Sequence, residues 1–162
     1  MDAERRLYTL NLAKARSRLK MPLLMKVGMG LAALFPIGAV ILLALAALGI
    51  GSFRIGNRPV APGEWLRLAG PLFVVTGALM AAVAYACWKE KPWSRHLALA
   101  HWAVVGLYAL LLGLSGQLPR YLMWRALIET GVLGAFALWY FYAKRNVVEY
   151  FRALRARLPP PP

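Results

Sequence analysis

Residues 27–50 read VGMGLAALFPIGAVILLALAALGI, twenty-four positions without a charged or amide side chain. At 1.5 Å per helical residue they reach about 36 Å, enough to cross a hydrocarbon core about 30 Å thick. A helix on the surface of a small soluble domain keeps a polar face towards water, and this stretch has none. It is read as a transmembrane helix. Three further stretches, 66–88, 96–115 and 121–143, are also long and predominantly apolar. The spans are placed at about 25–50, 65–88, 96–115 and 121–143.

The whole chain supports this reading. Of its 162 residues 60% are apolar, whereas soluble domains hold about 45–50%. Short links join the spans. The link 89–95 and the Pro119-containing link 116–120 are too short for anything but antiparallel hairpins. The link 51–64 carries Gly56, Asn57, Pro59, Pro62 and Gly63, and is expected to be at most a short ordered loop. Pro36 lies near the middle of the first span and removes one backbone donor, so a static kink is expected there. The fold class is an all-α integral membrane protein: an antiparallel four-helix transmembrane bundle occupying 21–145. Glycines such as Gly28, Gly38, Gly77, Gly106, Gly113, Gly131 and Gly134 would let its helices approach closely.

Two segments flank the spans. Residues 1–20 hold Arg5, Arg6, Lys14, Arg16, Arg18 and Lys20, with Tyr8, Leu12, Ala15 and Leu19 at helical spacing. They form a basic cytoplasmic segment, either an interfacial helix or a solvated tail. The first span is too long for a cleavable signal and is expected to stay as an anchor, while Asp2 and Glu4 argue against a mitochondrial transit peptide. Residues 146–162 read as an amphipathic helix with a Pro159–Pro162 tail. Val147, Phe151, Leu154 and Leu158 share one face, and Arg145, Glu149, Arg152, Arg155 and Arg157 occupy the others. This helix is expected to rest on the membrane surface or on a partner, with Arg145, Phe151, Arg152, Leu154 and Arg155 as its lipid- or partner-facing residues.

The net charge is +14. Basic residues sit beside span ends, where each gains about 1 kcal/mol against anionic lipid headgroups. That placement argues against a nucleic-acid partner. Alternate segments hold fifteen of the twenty Lys and Arg residues, including all six lysines, while the opposite side has only Arg54, Arg58, Arg67, Arg120 and Arg125. Retention of basic segments on the inside then puts both termini in the cytoplasm, and a cell inner membrane is the expected location.

Few residues inside the spans can carry chemistry. Glu129 lies about two turns into the fourth span, and Arg125 precedes it by one turn on the same face. Arg67, at similar depth on the second span, is near enough in sequence register to join them, with Thr76 or Thr130. This candidate polar site is either an ion pair fixing helix register or a site for an anion, a headgroup or a proton. His101 could serve as a relay or ligand. His96, the other histidine, is turned about 140° from it around the helix, so the two cannot clamp one metal or haem. Cys87 is the only cysteine, and Asp occurs once, at Asp2. No nucleophile elbow, zinc-binding HExxH, phosphate-cradling glycine loop or paired-carboxylate motif is present.

The expected function is therefore non-catalytic, without metal or cofactor: a small accessory, assembly or scaffold subunit, homo-oligomeric or part of a larger membrane complex, engaging anionic lipid or a partner protein. The alternative is a small transporter or channel with its path through Glu129 and Arg125.

Overall fold

The computed structural model of the protein describes residues 21–156. The basic segment 1–20, and Arg157, Leu158 and the proline tail, lie outside the described residues. The elements are α1 (Leu23–Ala47), β1 (Phe53–Ile55), β2 (Arg58–Val60), α2 (Pro62–Trp88), α3 (Ser94–Leu114), α4 (Arg120–Tyr142) and α5 (Arg145–Ala156). Helices α1 to α4 are long and apolar enough to cross a membrane.

Local chemistry sets their ends. Pro22, Ala61 and Pro119 precede α1, α2 and α4 in extended backbone, and Pro62 opens α2, where its missing N–H would have had no partner in any case. At the other end of α1, the Ile50 N–H reaches back to the Leu45 carbonyl at 2.9 Å while Gly49 takes φ +71°. That left-handed residue ends the helix at Ala47, although the apolar run continues to Ile50. Gly116 does the same after α3, with Gln117 bonded to Leu112. Helix α1 runs unbroken through Pro36, and α2 through Pro71.

Packing follows the chain order, α1 on α2, α2 on α3 and α3 on α4. The buried residues of α1 are Met25, Ala32, Ala39 and Ala46, each seven after the last. A seven-residue period keeps one stripe against a partner helix, and three alanines in that stripe bring the backbones close. Gly77 of α2 is opposite: a Cβ there would lie 3.7 Å from that of Ala39. Between α2 and α3 the Tyr108 hydroxyl donates to the Leu68 carbonyl at 2.7 Å. On the α3–α4 contact, Gly106 faces Thr130 and Gly113 faces Met123.

The link after α1 is more than a loop. Residues 53–60 form a β-hairpin in which Phe53 pairs with Val60, Arg54 with Pro59 and Ile55 with Arg58. Gly56 takes φ +62° and Asn57 stays outside the left-handed region, as in a type II′ turn. Counting from this two-residue loop, Arg54 and Pro59 form a non-hydrogen-bonded pair, so the proline forfeits no ladder bond. Phe53 is buried with Ala46 and Trp65 and closes that end of the α1–α2 pair.

Helix α5 differs from its sequence-based expectation in what covers it. Its apolar face, Val147, Tyr150, Phe151 and Leu154, is buried with Met25 of α1 and Tyr140 of α4, and Met21 and Phe141 pack alongside. Phe151 is only 1% exposed. The chain itself occupies this face, so Phe151 and Leu154 are not offered to lipid or to a partner. The reason is geometric: α4 leads into α5 with no more than a two-residue break, which swings the apolar face back beneath α1.

Candidate functional site

The Arg125 Nε donates to Glu129 Oε1 at 2.7 Å. This is the i, i+4 pair expected from the spacing, but it lies on the outside of α4. The side chains are 71% and 56% exposed, and Tyr121, Trp124, Ile128, Val132 and Phe136 around them are exposed too. The residues by which α4 packs inwards, Met123, Thr130 and Ala137, lie on another side of the helix.

The other proposed members do not join this pair. Arg67 is exposed on α2 and forms no ion pair among the described residues. Thr130 donates to its own helix at the Ala126 carbonyl, 2.7 Å, and Thr76 to Leu72, 2.6 Å, so neither hydroxyl is directed at the charges. Helices offer these local acceptors to any threonine, which satisfies the hydroxyl without a partner helix.

His101 is buried on α3, edge-on to Phe35 at 6.1 Å and to Trp102 at 5.1 Å. Its Nδ1 has no hydrogen-bond partner among the described residues. His96 takes a different neighbour, with its Nδ1 2.8 Å from the Tyr142 hydroxyl. Among the described residues no three His, Cys, Asp or Glu side chains gather where they could hold a metal ion.

A second polar grouping, at the α5 end, escaped the sequence. Arg95 opens α3 as a buried cation. Its guanidinium lies 4.7 Å from the Tyr142 ring centroid and 5.4 Å from that of Phe151, while Lys144 lies over Tyr140. Aromatic faces stand in for water around these cations. In the sequence Arg95 counted only as one more basic residue of a link. The signal that was present is the aromatic run Trp139-Tyr140-Phe141-Tyr142, which reads equally well as a membrane-interface belt. The exposed cations of α5 are Arg145, paired with Glu149 at 2.9 Å, and Arg152 and Arg155.

A shallow, open groove of about 370 Å³ lies between α3 and α4. Trp102, Gly106, Leu127, Gly131 and Leu138 are among its walls, and Thr130 supplies its polar edge. Neither Arg125 nor Glu129 lines it. No protein-family model, no curated protein and no solved structure matches the chain.

Proposed function

We propose that this protein is a non-catalytic accessory or assembly subunit of a cell inner membrane. Helices α1 to α4 cross the bilayer as an antiparallel bundle, both termini are cytoplasmic, and the basic α5 end lies against anionic headgroups. The observation that carries this reading is the outward position of the Arg125–Glu129 pair. A transporter needs its charged residues along a hydrated path. Here the one acid within the membrane-crossing part of α4 points away from the chain's interior, and the groove beside α4 excludes it. Two opposite charges on the outside of a helix are what a protein uses to meet another protein, because lipid tails cannot satisfy them.

The test has two arms. Purified in mild detergent, the protein is expected to emerge in a stoichiometric complex larger than a single chain. Reconstituted alone in liposomes, it is expected to carry no ion or small-molecule flux. Flux that Glu129→Gln abolishes would overturn the proposal in favour of a channel or transporter.

A further inference from the structure

On α4 the exposed residues Arg125, Glu129, Val132, Phe136 and Trp139 follow one another at spacings of four, three, four and three. That is the period of a helix seam, in which every third or fourth residue enters a partner helix. From Met123 to Ala137 the packed interior uses a different side of α4, and Tyr140, on which Phe136 stacks, turns in only at the α5 end, so the seam from Arg125 to Val132 has no occupant among the described residues. We propose that the seam is a homodimer interface, in which α4 of one chain lies parallel to α4 of a second copy.

Charge complementarity identifies the occupant. The seam carries one cation and one anion a single turn apart; a two-fold axis sets each level with its like on the other copy and leaves the opposite charge one turn along, within reach of the long arginine side chain. The pair within the chain uses only Arg125 Nε and Glu129 Oε1. The terminal guanidinium nitrogens and Oε2 remain for bonds across the interface, and a guanidinium fork can engage two carboxylates at once. The result is a closed ring of four alternating charges with no net charge. A different protein would need its own matched pair at the same height. Burial adds to the argument. Glu129 lies nine residues into α4, about 14 Å along the helix axis, too deep for its carboxylate to reach water from a lipid-facing position.

The direction of packing follows from the unequal distribution of Lys and Arg. All copies insert the same way round, so the two-fold axis runs along the membrane normal and the two α4 helices are parallel. The crossing expected for a seven-residue seam is about 20°. The proposal rests on the membrane-spanning reading above and deepens it by naming the surface and its partner.

Cysteine cross-linking of the full chain in native membranes tests it. In a Cys87→Ala background, Val132→Cys and Phe136→Cys should form disulfide-linked dimers on mild oxidation. Gly131→Cys, on the groove side of α4, should not. Arg125→Glu puts four acids in the seam and should lower the Val132→Cys cross-linked fraction at least tenfold. The exchanged variant Arg125→Glu/Glu129→Arg should restore it, which mere misfolding would not allow. A cross-link at Gly131→Cys but not at Val132→Cys, a cross-link only to a different protein, or a wild-type mass of a single chain by native mass spectrometry would each overturn the dimer. Reporter fusions to the termini separate the two failures: cytoplasmic termini on a membrane-inserted chain without cross-links remove the dimer alone, whereas a chain absent from the membrane removes the reading beneath it.

Discussion

The Arg95 guanidinium lies over the ring of Tyr142, 4.7 Å from its centroid, and so joins the first turn of α3 to the last turn of α4. Phe151 of α5 lies on the same cation at 5.4 Å. Three helices thus meet at one buried charge. Its Nε has no hydrogen bond among the described residues, which leaves the ring faces as the partners on view. Desolvated cation–π contacts are worth about 2 kcal/mol. Arg95→Met keeps the length of the side chain and removes the charge. It is expected to lower stability by about 2 kcal/mol, read as a lower midpoint in thermal unfolding in detergent. Arg95→Lys, which retains a cation but not the planar fork, should fall between the two.

Helix α5 is held by Phe151 and Leu154 against Met25 and Tyr140. Large-to-small changes at such buried sites cost about 2–5 kcal/mol each. A helix of twelve residues is too short to persist without its docking surface. Phe151→Ala/Leu154→Ala should therefore release α5, so that trypsin cuts after Arg152 and Arg155 at least ten times faster than in the parent, while α1 to α4 stay folded. Unaltered cleavage would mean that α5 is held by something other than this face.

Glycine substitutions separate backbone from packing. A Cβ at Gly116 meets nothing within 4 Å, yet the residue holds φ +72°. Gly131 also has open space, but its backbone is helical. Alanine should cost about 1 kcal/mol at Gly116, through the left-handed conformation alone. At Gly131 it should add about 0.5–1 kcal/mol of stability, because alanine loses less freedom on forming a helix. Opposite shifts in unfolding midpoint check both.

These residues also show what the sequence makes legible. The four long helices are visible because length and apolarity suffice for them, and the Arg125–Glu129 pair because i, i+4 spacing alone brings it together. The side of α4 that carries the pair is another matter: apolar residues surround that helix, so periodicity does not separate inside from outside. The hairpin hides in two strands of only three residues, one containing Pro59, where alternation has no room to appear. Gly56-Asn57 was its one readable sign. The cover over α5 depends on Met25, more than a hundred residues earlier in the chain, and no local pattern carries that information.

The alanine stripe of α1 yields the most localised prediction. Ala39 is buried against α2, with Gly77 opposite it, where a Cβ would lie 3.7 Å from that of Ala39, so a larger side chain there has little space. Its neighbour Val40 is 66% exposed. Ala39→Leu inserts three carbons where two backbones meet. Overpacking of this kind costs about 1–3 kcal/mol, and the strain falls in mid-helix, where both backbones are fixed by their own hydrogen bonds. Val40→Leu changes the volume by a single methylene on the open side and should leave stability unchanged. Unfolding midpoints of the two variants, measured in the same detergent, decide the matter. Equal midpoints would show that α1 and α2 do not pack through this stripe, and that the close approach at Gly77 is dispensable.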